Sequence, residues 1–279
     1  MTPITMARAW VMPALTVAVL GTPAIAALLT APATASAQSW SPLQRGSDNI
    51  EVVGHQPMGG RLTVTDMDVE QELHRPYAYV SRANVVGGGE RGVDIVDLSD
   101  PSDPEVVYSW RIENDDLHQG PGAMDVKHFK WGDRYYVAQS LQFAPSGPDA
   151  DVGAVILDVT GLPDVSTVRE VGRIRDADHL GGFHNIFIYK HSDGRVLLFT
   201  TVSGPYAHVY DLGRFVEGDH EGALVGRVPV PTDGQGFGGY HDMYVGYHPD
   251  TDTDRFYGGG TGGYYVYDVS DVDAPSLVV

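Results

Sequence analysis

Four stretches of this 279-residue chain end an apolar run on aspartate: Val93-Asp94-Ile95-Val96-Asp97, Val155-Ile156-Leu157-Asp158, His208-Val209-Tyr210-Asp211 and Tyr265-Val266-Tyr267-Asp268. Their final Asp residues lie 61, 53 and 57 positions apart. A second marker, a short polar residue that opens another apolar run, precedes each of them: Asp66-Met67, Asp125-Val126, Asn185-Ile186 and Asp242-Met243. These polar positions are spaced by 59, 60 and 57. A unit recurring at nearly constant length is one supersecondary module used repeatedly, because a single copy cannot bury its own apolar faces.

Turn chemistry separates the two markers in the later copies, at Trp131-Gly132-Asp133-Arg134, at His191-Ser192-Asp193-Gly194-Arg195 and at His248-Pro249-Asp250. β-rich runs such as Tyr135-Tyr136-Val137 and Val196-Leu197-Leu198-Phe199 follow these turns, so each copy holds about four strands. In the third copy they are expected over 185–190, 196–201, 208–212 and 223–228. Four antiparallel strands in about 57–60 residues make a β-propeller blade. Runs apolar on both faces, such as Val155-Ile156-Leu157, suit sheets covered twice. A two-sheet sandwich also buries strands but requires no regular unit.

The expected fold class is therefore all-β, with blades over 60–112, 122–176, 183–231 and 240–279 in a domain spanning 38–279. The last blade reads as incomplete, because its outer strand has scarcely begun at Leu277-Val278-Val279. Either Asn49-Ile50-Glu51-Val52-Val53 closes the ring, or the chain is a truncated piece of a longer propeller. The second is the expectation, since an apolar half-strand leaves an open edge.

The segments Val93-Asp94-Ile95-Val96-Asp97-Leu98-Ser99-Asp100-Pro101 and Tyr265-Val266-Tyr267-Asp268-Val269-Ser270-Asp271 resemble the repeat of the LVIVD-repeat proteins. The resemblance covers roughly residues 60–279 and implies an exported bacterial β-propeller, without implying a reaction. Copies two and three depart from it, with Thr160-Gly161-Leu162-Pro163 and Gly213-Arg214-Phe215 where Ser-Asp-Pro is the pattern. The strand-ending Asp97, Asp158, Asp211 and Asp268 are expected to accept hydrogen bonds from backbone N–H groups of the following turn.

The first 37 residues are of different material. Arg8 is their only charge, an apolar stretch runs from Ala9 to Leu29, and Ala35-Ser36-Ala37 supplies small residues for a signal peptidase. A signal peptide over 1–37, cleaved between Ala37 and Gln38, is expected, with a periplasmic or extracellular mature protein. An uncleaved anchor is the alternative, because about 20 apolar residues span a bilayer. No stable membrane insertion is expected after cleavage. The formal net charge of −19 repels nucleic acid and anionic lipid. Cysteine is absent, which removes disulfides and thiolate chemistry.

Chemistry could sit where the copies connect. These connections read Asp115-Asp116-Leu117-His118-Gln119-Gly120, Asp178-His179-Leu180-Gly181-Gly182-Phe183-His184, and Gly236-Phe237-Gly238-Gly239-Tyr240-His241. His118, His179, His184 and His241, with Asp125 and Asp242, are candidate ligands for one divalent metal ion, imidazole and carboxylate being suited to Zn, Fe, Cu or Mn. The alternative is that these imidazoles hydrogen-bond backbone carbonyls in tight loops. Gly258-Gly259-Gly260-Thr261-Gly262-Gly263 matches G-x-G-x-x-G, but no helix follows to receive a phosphate. Asp250-Thr251-Asp252-Thr253-Asp254 has Arg255 where a calcium loop needs Gly, and reads as a solvated hairpin tip.

Two functional classes remain. One is a binding or interaction scaffold whose propeller face takes a protein, a glycan or a small polar ligand. The other is a metal-dependent oxidoreductase or hydrolase with a His-rich site on the propeller axis.

Overall fold

The computed structural model describes residues 49–279 except 88, 115–116, 148, 232–238 and 261. The expected leader over 1–37 lies outside the described residues. No described helix is long and apolar enough to cross a membrane.

The described chain folds into four antiparallel sheets of four strands, each built from consecutive strands in chain order. The first holds β1 (Val64–Val69), β2 (Tyr77–Arg82), β3 (Gly92–Asp97) and β4 (Glu105–Arg111). The second holds β5 (Gly122–Trp131), β6 (Arg134–Gln142), β7 (Val152–Asp158) and β8 (Arg169–Arg175). The third holds β9 (Ile186–Lys190), β10 (Val196–Thr201), β11 (Tyr206–Asp211) and β12 (Leu224–Pro229). In the fourth, β13 (Tyr240–His248), β14 (Thr253–Gly260) and β15 (Gly263–Asp268) are followed by a two-residue outer strand, β16 (Ser276–Leu277). This is a β-propeller architecture, with β1, β5, β9 and β13 as neighbouring inner strands.

Period-2 alternation explains how the sheets stack. All seven residues of β7 are buried, but they serve two interfaces. Val155 and Leu157 pack with Tyr79, Val93 and Ile95 of the first sheet, whereas Ala154 and Ile156 pack with Ile186, Leu198 and Tyr210 of the third. Full burial of a Val, Leu or Ile side chain such as Val155, Leu157 or Ile156 contributes about 1.5–3 kcal/mol. The outward face of the first sheet, with Ala78, Val80 and Val96, is covered by Met58 from the preceding segment.

The two sequence markers have distinct structural duties. Asp97, Asp158 and Asp268 each accept a hydrogen bond from the N–H two residues on, at 2.7, 3.1 and 2.9 Å. Asp211 instead accepts from Arg214 N–H at 3.1 Å and caps the short helix α1 (Leu212–Val216), which occupies the place where the third copy departs from Ser-Asp-Pro. The inner-strand marker reaches the next sheet. Asp66 Oδ2 accepts from Val126 N–H at 3.1 Å, Asp125 Oδ2 accepts from Ile186 N–H at 2.9 Å, and Asn185 Nδ2 donates to the His241 carbonyl at 3.0 Å.

One sequence expectation needs correction. Residues 250–252 form the turn between β13 and β14, but Asp254 is fully buried in β14. It accepts a hydrogen bond from Ser192 Oγ at 2.5 Å and one from Tyr189 Oη, so it joins the fourth sheet to the hairpin of the third. A carboxylate in that position is held by partners that sequence spacing does not display.

Candidate functional site

Among the described residues, the fourth sheet differs from the others in having one open face. Val245, Phe256 and Tyr267 pack against Leu197 and Phe199 of the third sheet. On the opposite face the strand register aligns Tyr244, Tyr257 and Val266, and Asp242 with Gly259 and Tyr264. Tyr264 is 90% exposed and Tyr244 is 58% exposed. A Cβ at Gly259 would stand 2.9 Å from the Tyr264 ring, so that glycine makes room for the aromatic ring above it. This face forms one wall of a cleft of about 1250 Å³ that continues past Asp242 to His184, His241 and Gln142.

His184 and His241 meet at the end of the cleft with ring centroids 4.7 Å apart, edge to face. His184 Nδ1 lies 2.9 Å from Gln142 Oε1. Burial, and then the neighbouring His241, hold the His184 imidazole below its ordinary pKa, which favours its neutral form, able to donate at one nitrogen and accept at the other. Asp242 is exposed and uses Oδ1 to accept from Met243 N–H at 2.7 Å. Among the described residues its other oxygen takes no hydrogen bond, which leaves it to a ligand in the cleft.

Asp125 is held differently. Its backbone N–H donates to Ser140 Oγ at 2.8 Å, and its side chain binds Ile186 N–H and Lys127 Nζ. Lys127 Nζ also donates to Asp66 Oδ2 at 2.7 Å. Burial first, and then contact with Asp66, push the Asp125 carboxyl up to about 7 against the pull of Lys127. Burial also works to raise Asp66, but its hydrogen bonds with Asp125, Lys127 and Val126 outweigh this and hold it below the usual carboxylate range.

The remaining two candidates occupy the connections between sheets. His118 is buried, with Nδ1 3.1 Å from the Asn114 carbonyl, Nε2 3.2 Å from Asp149 Oδ2, and its ring 4.9 Å from that of Phe143. His179 lies 3.4 Å from Asp176 Oδ2 and 5.0 Å, ring to ring, from His208. Of the six sequence candidates, His184, His241 and Asp242 line the cleft. Only His179 belongs to the group of three metal-capable side chains found among the described residues, Asp176, His179 and His208.

No family model and no curated protein matches the chain. Among solved structures it is similar to Zg3597, a family 117 glycoside hydrolase from the marine bacterium Zobellia galactanivorans, at 10% identity and a TM-score of 0.50, over 82% of this chain and 73% of that one. It is also similar to a protein assigned as an exo-beta-1,3-galactanase from Bifidobacterium bifidum s17, at 13% identity and a TM-score of 0.45, over 85% and 74% of the two chains. The likeness is one of fold.

Sequence reasoning missed the tyrosine wall, Asp176 and His208. The wall was present as alternation, since Tyr257, Tyr264 and Val266 occupy successive positions on one face of a hairpin. His208 stands three residues before its turn Asp, where the other copies carry Asp94, Val155 and Tyr265. An imidazole at a core strand position was the available signal.

Proposed function

We propose that this protein is an exported propeller of the LVIVD-repeat type that binds a neutral saccharide in the cleft over its fourth sheet. The observation that carries this reading is the row of Tyr244, Tyr257 and Tyr264 on an open sheet face, ending at Asp242, His184 and His241. Tyrosine offers a flat apolar face with a polar tip, which suits the C–H face and hydroxyl rim of a sugar ring. A few convergent polar groups then fix its orientation. The net charge of −19 disfavours anionic polymers, nucleic acid and acidic lipid as partners. The likeness to a protein described as a glycoside hydrolase agrees with a saccharide as the ligand class.

Binding is favoured over cleavage. Hydrolysis by the usual pair of carboxylates needs two of them across the scissile bond, and the described lining of the cleft holds one, Asp242. The test is affinity electrophoresis of the full chain in neutral and uronate-containing polysaccharides, with reducing-sugar release followed in parallel. Retardation by a neutral polymer, lost in Tyr264→Ala and Tyr257→Ala without loss of folded signal, is the expected result. Folded protein that no neutral polymer retards overturns the proposal, and sugar release would move it to the enzyme class. Export is tested by mass spectrometry of the secreted protein, which is expected to begin at Gln38.

A further inference from the structure

The connection from the second sheet to the third carries a second constellation, away from the tyrosine wall. Asp176 follows β8 directly, His179 lies three residues on, and His208 projects from β11 in the third sheet. Their candidate ligand atoms all lie within 4.8 Å of one another. Asp176 and His208 are buried, and the His179 side chain keeps 17% exposure.

Six buried side-chain atoms lack a hydrogen-bond partner among the described residues, and four belong to these three side chains: Asp176 Oδ2, His179 Nδ1, His208 Nδ1 and His208 Nε2. Leaving such groups unsatisfied costs about 1–3 kcal/mol each. His208 Nδ1 comes within 2.8 Å of Asp176 Oδ2, which pairs at most one nitrogen of that ring and leaves His208 Nε2 and His179 Nδ1 without partners among the described residues. Ordinary hydrogen bonding therefore leaves the group unresolved. A doubly charged cation would satisfy the carboxylate and an imidazole lone pair from each ring together.

The supports are already in place. Asp176 Oδ1 accepts from the N–H groups of Asp178 and His179 at 3.1 and 3.2 Å, which fixes the carboxylate and leaves Oδ2 turned toward the two rings. His208 is locked in the ladder between Thr200 and Arg227. His179 lies over Gly204, where a Cβ would stand 2.3 Å from its Cδ2. Oδ2 is 2.8 Å from His208 Nδ1 and 3.4 Å from His179 Nδ1. These separations bracket the roughly 3.3 Å edge of a tetrahedron with metal–ligand bonds of about 2.0–2.1 Å.

We propose that Asp176, His179 and His208 form a binding site for one divalent transition metal of the zinc type, closing the connection between the second and third sheets onto β11. Two nitrogens and one oxygen suit a borderline-soft ion, and the solvent-facing side of His179 leaves a fourth position for water. None of the three side chains lines the cleft, so the site shares no ligand residue with saccharide binding.

The test uses tag-free full-length protein, dialysed against chelator and then titrated with Zn²⁺ by calorimetry and with Co²⁺ by visible absorption. One equivalent is expected to bind, with the d–d bands of a low-coordinate Co²⁺ complex. His208→Gln and Asp176→Asn are each expected to weaken Zn²⁺ binding by more than the roughly 10–100-fold that loss of an outer-shell partner costs, and His118→Gln to leave it unchanged. Gly204→Ala, which displaces His179 without removing a ligand, is expected to weaken it by about 10-fold. Should His208→Gln fail to fold by circular dichroism, the more exposed His179→Gln takes its place. Folded wild-type protein that takes up no stoichiometric metal overturns the proposal, as does a folded His208→Gln or His179→Gln variant that binds as tightly as wild type.

Discussion

Asp125 and Asp242 occupy the same place in the repeat, at the mouth of an inner strand, and the structure uses them in opposite ways. Asp125 is buried and spans the joint to the third sheet, held by Ile186 N–H and Lys127. Asp242 is exposed and turns back onto the N–H of its own neighbour, Met243. The difference follows from what stands beside each. Where another inner strand lies alongside, the carboxylate is a tie between sheets. On the open sheet it is a hydrogen-bonding group facing a cleft. One position of a repeat can thus serve assembly in one copy and recognition in another, with no change of residue type.

The largest expected consequence is in stability. Asp125→Ala leaves the Ile186 N–H without its acceptor, and a buried donor left unsatisfied costs about 1–3 kcal/mol. Because Asp66 retains Lys127, we expect about 2 kcal/mol, read from the shift of the urea midpoint at constant m. A loss below about 1 kcal/mol would remove the distinction between the two aspartates.

A smaller effect concerns pH. An unfolded aspartate titrates near 3.9, and Asp125 in the folded state is pushed up to about 7. Between these values the folded state holds a proton that the unfolded state has released. Stability contributed by this group therefore falls as pH rises from about 4 to 7 and is level above that. Asp66, held below the ordinary carboxylate range, acts with the opposite sign and only below about pH 4. Asp125→Asn is expected to flatten the wild-type decline across this window. Asp66→Asn is expected to shift the decline toward acid, because it removes a neighbour that raises Asp125. Denaturant midpoints at pH 4, 5, 6 and 7 would show both, and an unchanged slope in Asp125→Asn would assign the decline to another group.

How far the sequence carried this reading depends on where each partner sits. The four-strand unit was legible because its signals are local: apolar runs, turn residues and a strand-ending Asp whose acceptor duty is met two or three residues away. The tie made by Asp125 was not legible, because its partner lies 61 residues on and becomes a neighbour only when sheets stack. The same holds for Asp176 with His208, which come from the edge of one sheet and the third strand of the next. Asp254 misled for a related reason. Its alternation with Asp250 and Asp252 suggested a turn in water, while packing against Tyr189 and Ser192 decided its burial. The cleft tyrosines were visible as residues but not as a wall, since an exposed face is defined by what does not cover it.

The smallest expected effect on stability belongs to Asp242, and it tests recognition most directly. Asp242→Asn keeps an oxygen for Met243 N–H, and an exposed substitution away from the core changes stability by no more than about 0.5 kcal/mol. The carboxylate itself is lost from the cleft. A hydrogen bond to a charged group is worth about 1.5–3 kcal/mol, so affinity for a neutral saccharide is expected to fall by at least about 10-fold while the urea midpoint stays in place. The paired result, Asp125→Asn altering the pH profile of stability with ligand affinity intact and Asp242→Asn doing the reverse, would separate the two duties of this repeat position. Equal behaviour of the two variants in both assays would mean that the open face of the fourth sheet is not where the ligand sits.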